Sequence, residues 1–543
     1  MTRRYTGVAA LVIFALSLAY FGSYMKYGLA YDEGYLLDGV ERIMAGQVIY
    51  RDFHHTYAPG RFYLLAAAFG AFGKNILVER LIFALLQAVK CSLAFLIVKA
   101  LVRNRFAFIA PVLIMIAPGP WHKVFFSAFG FLAVLIALAA VNERSRRLAV
   151  YGALLGGCAV FRQDTAGFAF LGAAVGMLLA GTVKGWGLGD YLQRLLYLAV
   201  GAAIVAVGVF AYFGSRNAVG QMVHKITRDG MIDNMTNRIP YPGLASITGI
   251  DVAYLGHILP VKLLFYLPFV IYGLAAVIVA RGIARRTWDR NPIGLLVVLV
   301  VSVFAFNQSV WRSDVGHLFQ TMQFVYLLVP VILAAACGLI GRNLGWGVLR
   351  LRALAISLGT AAALLLVWAT YGCLVATTDT ALMGRFITEG VSVGDTEYVG
   401  SAIVRAGNTA RLDLDRARVY VRPGEARFFG ALKQFIDTHT SPGDFVLAVP
   451  QLQMLYFFYD RRNPTDYAHY RRALDPAEEY EYIRDIASAG TEYVFLVEPF
   501  EGARLGQTKQ AFSEYAGRVR TWILENYTEV ERIGSVRILR KRT

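Results

Sequence analysis

Apolar runs close to the length of a bilayer crossing recur from the N-terminus to about residue 375. In lipid a helix is the only open-ended segment that satisfies its own backbone, and spanning takes about 20 mostly apolar residues. The candidate spans are 8–27, 76–102, 106–118, 123–141, 148–161, 165–181, 195–213, 261–280, 293–311, 318–341 and 353–375. Hydrophobic residues make up 57% of the chain, which excludes an ordinary soluble protein. Beyond residue 375 charge becomes frequent. The expected fold class is a multi-pass α-helical membrane protein of about 11 spans with a C-terminal extracytoplasmic α/β domain. The expected domains are residues 1–375, with a long first outer loop at 28–75, and residues 376–543.

The formal net charge of +17 would suggest nucleic acid in a soluble chain. Here the excess sits in short loops, where it orients the protein instead. With the N-terminus inside, the cytoplasmic stretches are 1–7, 99–105, 142–147, 182–194, 281–292 and 342–352. All are basic: Arg3 and Arg4; Lys99, Arg103 and Arg105; Arg144, Arg146 and Arg147; Lys184 and Arg194; Arg281, Arg285, Arg286 and Arg290; Arg342, Arg350 and Arg352. This predicts a plasma-membrane protein with a cytoplasmic N-terminus and no nucleic-acid partner. The first apolar run follows Arg3-Arg4 with no small-residue cleavage site after it, so it reads as a retained span. Cys91, Cys158, Cys337 and Cys373 all lie in apolar stretches and read as packing residues.

In the tail, "GEARFFGALKQFIDTHT" (424–440) and "PAEEYEYIRDIASAG" (476–490) have helical spacing. "DFVLAVP" (444–450) and "EYVFLVEP" (492–499) read as buried strands. The order helix–strand–helix–strand suggests a partly parallel sheet. No GxGxxG, Walker loop, HExxH or GxSxG occurs in it, so it reads as a lid or docking domain.

The first outer loop opens with "AYDEGYLLDG", an acidic pair directly after a span. "GYLLDGVERIMAG" and "GRFYLLAAAFGAFG" both have apolar residues at helical spacing, as for helices lying flat in the interface. Between them stand Arg51, Asp52, His54, His55, Tyr57 and Pro59. An acidic pair outside span one, then "GQVIYRDFHHTYAPG", then "FGKNILVERLIFALL" resembles the GT-C glycosyltransferases. The similar branch contains protein O-mannosyltransferases, aminoarabinose transferases and polyprenyl-phosphate-sugar transferases. The resemblance is clearest over 28–90 and extends more loosely through "VFRQDTAGFAFLG" (160–172).

That resemblance implies transfer of a sugar from a polyprenyl-phosphate donor to a hydroxyl of a glycan, lipid or protein, by in-line displacement with inversion. Asp32 matches the family's proposed general base, and Glu33 stands beside it. The alternative for Asp32 is an N-cap of a helix over 33–45. Asp52, His54, His55 and Tyr57 are candidates for contacting acceptor or sugar. A direct Arg51–Asp52 pair is not expected, since neighbours in an extended stretch point apart. The adjacent histidines are poorly spaced as metal ligands and read as hydrogen-bonding residues.

The departing polyprenyl phosphate calls for cations at the outer membrane edge. Candidates are Arg312 and His317 of "WRSDVGH", with Asp314 between them, then Arg162 and Lys123. Lys262 is a fifth cation, read as snorkelling to the interface. The second outer loop, "APGPWHKVFF", holds no carboxylate, so no essential metal or other cofactor is expected. The rival reading is a transporter or flippase of lipid-linked glycans, which inverted repeats and broken helices would favour. A non-catalytic scaffold or sensor that binds glycan through the tail, and a ligase that moves whole glycans, are further readings.

Overall fold

The computed structural model describes residues 3–102, 105–143, 145–284, 290–340, 361, 364–373, 380–392, 409–468, 470, 474–499, 501–505 and 508–542. Among them, 8 helices are long and apolar enough to cross a membrane. The chain is thus a multi-pass α-helical membrane protein with strands in its C-terminal part. The expected segments fall on helices, but their ends move. The run 165–181 is the middle of a 22-residue helix and 195–213 lies in one of 27 residues, because helices continue into polar flanks that hydropathy leaves out. Segments 106–118 and 148–161 stay short, at Arg105–Ile116 and Leu148–Phe161. Of 353–375, only Leu364–Cys373 is described as helix. Arg103, Arg144, Arg285, Arg286, Arg342, Arg350 and Arg352 lie outside the described residues, as does the side chain of Cys337.

The contacts define two compact units, each assembled from separate stretches of chain. The first comprises Met1–Ser23, Phe83–Ala211 and Pro240–Ser401. Its helices are α1 (Arg3–Gly22), most of α4 (Ile76–Leu101), α5 (Ile109–Ile116), α6 (Val124–Asn142), α7 (Leu148–Phe161), α8 (Gln163–Lys184), α9 (Leu188–Gly214), α12 (Leu259–Ala284), α13 (Arg290–Trp311) and α14 (Val315–Ile340). Helix α8 packs between α6 and α13, and α13 against α12 and α14. Lipid gives little hydrophobic drive for helices to associate, so close approach between small residues matters. Helices α7 and α9 touch in that way: a Cβ on Gly201 would stand 1.9 Å from the Ala149 carbonyl oxygen, and one on Gly152 would stand 2.0 Å from that of Leu198.

Between α5 and α6 the chain is irregular and buried. Such backbone is tolerated inside a membrane protein only if other groups satisfy it. Lys90 Nζ donates to the Pro118 oxygen at 3.0 Å, and Gln323 Nε2 donates to that of Ala117 at 2.7 Å. Gly119, at φ +76°, takes a left-handed turn against the backbone of Phe319.

The second unit comprises Tyr24–Ile82, Tyr212–Ile239 and Ala402–Thr543. It holds α2 (Tyr31–Met44), α3 (Gly60–Phe72), α10 (Val219–His224) and α11 (Gly230–Thr236). Its main sheet runs β1 (Val446–Val449), β2 (Tyr493–Val497), β4 (Val536–Lys541), β3 (Tyr527–Ile533). β1 and β2 pair in parallel, as expected, while β4 pairs antiparallel with both β2 and β3. Pro423–His439 and Pro476–Ser488 are the two expected helices. Leu447, Val449, Val494, Leu496, Ile486, Ile523 and Leu539 form the core between sheet and helices.

In the first loop, helix α2 packs on both α3 and the helix Met454–Tyr459. A Cβ on Gly34 would stand 2.6 Å from the Met454 nitrogen, and one on Gly39 would meet the Phe62 ring at 2.5 Å. The glycines thus admit protein neighbours close to the α2 backbone.

Candidate functional site

In the second unit, Asp32 is half-buried in the first turn of α2. The partial positive charge of a helix start favours a carboxylate there. Asp32 is not the N-cap, which corrects the capping alternative. Ala30 occupies that position in extended geometry, and Glu33 returns its carboxylate to the Ala30 N–H at 3.4 Å. Glu33 is fully buried and bidentate to Arg80, which lies in the first part of α4, at 2.7 and 3.2 Å. Arg80 also donates to the carbonyls of Met25 at 3.0 Å and Gly28 at 2.8 Å. A planar guanidinium suits this simultaneous set better than an ammonium would. Arg80 thereby ties two turns of the approach to α2, at Met25 and Gly28, to its first turn at Glu33, the neighbour of Asp32. Glu79 is buried next to Arg80, and neither of its oxygens has a hydrogen-bond partner. Sequence reasoning missed both. The signal was "VER" opening an apolar span, where charge is costly and tends to be paired or functional.

The candidates at 52–57 have partners within this unit. Arg51 and Asp52 do pair, at 2.7 and 2.8 Å, against the expectation. The stretch is a turn rather than extended: Tyr50 has φ +75°, and the Val48 N–H donates to Asp52 Oδ2 at 2.7 Å. The hydrogen bond from Arg51 holds the Asp52 carboxyl below the usual range. His54 stacks on Tyr467 and places Nε2 3.2 Å from Asp229. His55 is buried against Tyr35 and Phe62, with Arg61 Nη2 3.0 Å from its Nε2. The Tyr57 N–H donates to His55 Nδ1 at 3.0 Å, while the Tyr57 side chain is exposed. Lys225 is half-buried in the electrostatic field of Asp466, Asp229, Glu478 and Asp52, and burial lowers its pKa against their pull. Three distant chain segments supply that group, so nothing local in the sequence announces it.

The phosphate candidates all belong to the first unit, at the starts of α6, α8 and α14 and the end of α13. Arg312 Nε donates to Asp314 Oδ2 at 2.9 Å, and the His317 ring and backbone N–H both meet Asp314 Oδ1 at 2.8 Å. Burial would raise the Asp314 carboxyl, but its contacts with His317 and Arg312 and the charge of Lys123 outweigh it and hold it well below the usual range. Asp314 therefore stays anionic and orients both Arg312 and His317. Arg162 is bidentate to Asp164 at 2.8 and 2.9 Å and lies over the Phe126 ring. Gln308 donates to Asp164, and Gln320 to Gln308, each at 2.9 Å. Lys262 does not snorkel: it forms a buried pair with Glu389 at 3.0 Å, inside protein rather than at the lipid edge. Among the described residues no group of three or more His, Cys, Asp and Glu could hold a metal.

No protein-family profile matches this chain, and no curated protein is similar to it in sequence. Solved structures do share its fold. ArnT from Cupriavidus metallidurans is 14% identical, in a crystal structure with undecaprenyl phosphate bound (TM-score 0.51) and in one of the apo state (TM-score 0.52). Each covers 98% of this chain and 97% of the ArnT chain. The apo oligosaccharyltransferase of Archaeoglobus fulgidus is 12% identical at TM-score 0.43, over 90% of this chain and 69% of its own. The chain has the fold of ArnT.

Proposed function

We propose that this protein is a membrane glycosyltransferase that takes a sugar from a polyprenyl phosphate and gives it to an extracytoplasmic hydroxyl. The observation that carries the proposal is Asp32, set in a helix first turn by the buried Glu33–Arg80 pair within a GT-C fold. The binding of undecaprenyl phosphate by ArnT supports the donor class. In this reading the acceptor oxygen attacks the anomeric carbon as its bond to the phosphate oxygen breaks. Asp32 takes the hydroxyl proton, and the bonding electrons leave with the polyprenyl phosphate. Arg312, His317, Arg162 and Lys123 would meet its negative charge. A positioned base is worth about 10²–10⁴-fold in rate, and fixed charges at a leaving group add to that. Glu33 is a positioning residue, since both its oxygens face Arg80. Asp52 and Tyr57 face the acceptor side, while His54 and His55 shape that surface through Asp229 and Arg61. The basic loops support a cytoplasmic N-terminus and an extracytoplasmic C-terminal part in the plasma membrane.

The test is transfer from a radiolabelled polyprenyl-phosphate sugar pool to a membrane-glycan fraction, by the wild type and a folded Asp32→Asn variant. The expected result is transfer by the wild type and loss of about 10²-fold or more in the variant. Equal transfer by both removes Asp32 from the mechanism.

A further inference from the structure

The outer connection between α9 and α12 holds large apolar side chains away from the protein. Leu244, Ile247, Ile250, Val252 and Leu255 are exposed, with Ile247 at 73%, Ile250 at 72% and Val252 at 86%. Single exposed apolar residues are ordinary, but five within 12 positions form a patch.

The backbone that carries them is clasped. The Glu389 carboxylate accepts from Ser246 Oγ at 2.8 Å, Thr248 Oγ1 at 2.6 Å and the Ile247 and Thr248 N–H groups at 3.1 Å each. Lys262 closes the clasp by donating to Glu389 and to the Ala245 oxygen, each at 3.0 Å. Arg385 holds the other arm, bonding Asp251 and donating to the Gly249 oxygen at 2.8 Å. All of these residues belong to the first unit. Ordering a loop costs entropy. Here the buried Glu389–Lys262 pair and its partners bear that cost while apolar side chains stay exposed.

The surroundings identify the occupant. Residue 255 runs within a few positions into α12, whose Leu263, Phe269, Val270, Leu274 and Val277 are exposed on a spanning helix and so face lipid. The helix Leu364–Cys373 exposes Leu364, Val367, Trp368 and Tyr371, and Trp368 Nε1 donates to the Gly256 oxygen at 2.6 Å. Trp and Tyr of this kind collect where acyl chains meet headgroups.

We propose that residues 243–255 form a wedge seated in the acyl chains of the outer leaflet, held in shape from the protein side by Glu389, Lys262 and Arg385. Which leaflet receives it rests on the topology proposed above; insertion itself does not. The wedge makes this outer connection a lipid contact of the enzyme rather than a water-exposed loop.

The test is site-directed spin labelling in nanodiscs, with no donor or acceptor present, so its failure is separate from that of the glycosyltransferase reading. Cys91, Cys158 and Cys373 are buried, Cys337 is replaced by Ser, and Val252→Cys and Ile250→Cys offer exposed thiols. Power saturation compares oxygen, which concentrates in acyl chains, with a water-soluble nickel chelate. Greater access to oxygen than to nickel at both positions, as at a Val277→Cys control, is the expected result. Greater access to nickel, as at a Tyr480→Cys control, overturns the proposal, as does low access to both, which would mean a protein partner covers the patch. Adding Glu389→Gln should move the 252 label toward the nickel-accessible reading, and no movement would overturn the clasp.

Discussion

Glu33, Arg80 and Glu79 make an asymmetric prediction. Glu33 and Arg80 are 0% and 2% exposed, and Glu79 is 0% exposed. Arg80 bonds Glu33, and Glu79 lies buried beside it. Replacing Arg80 with Met therefore leaves the Glu33 carboxylate buried without its cation and frees the Met25 and Gly28 carbonyls of their donor. Breaking a buried pair by removing one partner costs about 3–5 kcal/mol, and this variant belongs at or above the top of that range. Glu33→Gln is milder. Arg80 keeps both backbone carbonyls and a neighbouring carboxyl in Glu79, and the amide oxygen still accepts one bond. Its cost should be about 1–3 kcal/mol, the range for a weakened buried hydrogen bond. The gap is then roughly 2 kcal/mol, about a thirtyfold difference in the folded-to-unfolded ratio. Titration of SDS into the purified protein in mild detergent, followed by tryptophan fluorescence, measures both. Arg80→Lys should fall between them, since an ammonium cannot fork to Glu33 while reaching both carbonyls. Equal losses for Arg80→Met and Glu33→Gln, or a larger loss for Glu33→Gln, would refute the reasoning. The bonds of Arg80 to the Met25 and Gly28 carbonyls would then contribute nothing to the difference.

Gly201→Val should destabilise by more than the 1–3 kcal/mol of ordinary overpacking, because its Cβ would collide with the backbone of α7 rather than with a side chain that can move; a melt in detergent measures this. Glu389 is held well below the usual carboxylate range: burial would raise it, but Thr248, Ile247 and Lys262 outweigh that. A depressed folded value means its stabilisation is present above the unfolded value of about 4.5 and is lost only as pH falls through the lower folded value. The mobility of a label at 252 should therefore be the same at pH 7 and pH 5, and a change between them would contradict the geometry of the clasp. Arg312→Gln should raise KM for the polyprenyl donor and lower kcat in the transfer assay, whereas Lys262→Gln, whose partner is structural, should lower stability and leave donor KM unchanged.

Much of the fold is written in local sequence. A spanning helix makes all its backbone hydrogen bonds within itself, so apolar length alone announces it, and the eleven runs fall on helices where they are described. The paired helices and strands of the tail are visible for a similar reason, since each buries a local apolar pattern. Asp32 is legible as a candidate through the resemblance of its loop to a known family, and Arg312 through its place on a short turn between two apolar runs. What the tertiary structure alone decides is partnership. Residues 24–82 and 212–239 join 402–543 in one unit, and Lys262 finds Glu389 across 127 positions. The Arg51–Asp52 pair depends on a turn that an extended reading misses, and the cap of α2 falls to Ala30 because Glu33 reaches back while its other bonds go to Arg80. Hydrophobic burial is non-directional and leaves its mark in composition. Hydrogen bonds and ion pairs are directional and non-local, so which carboxylate orients and which one clasps is set only when the chain has folded.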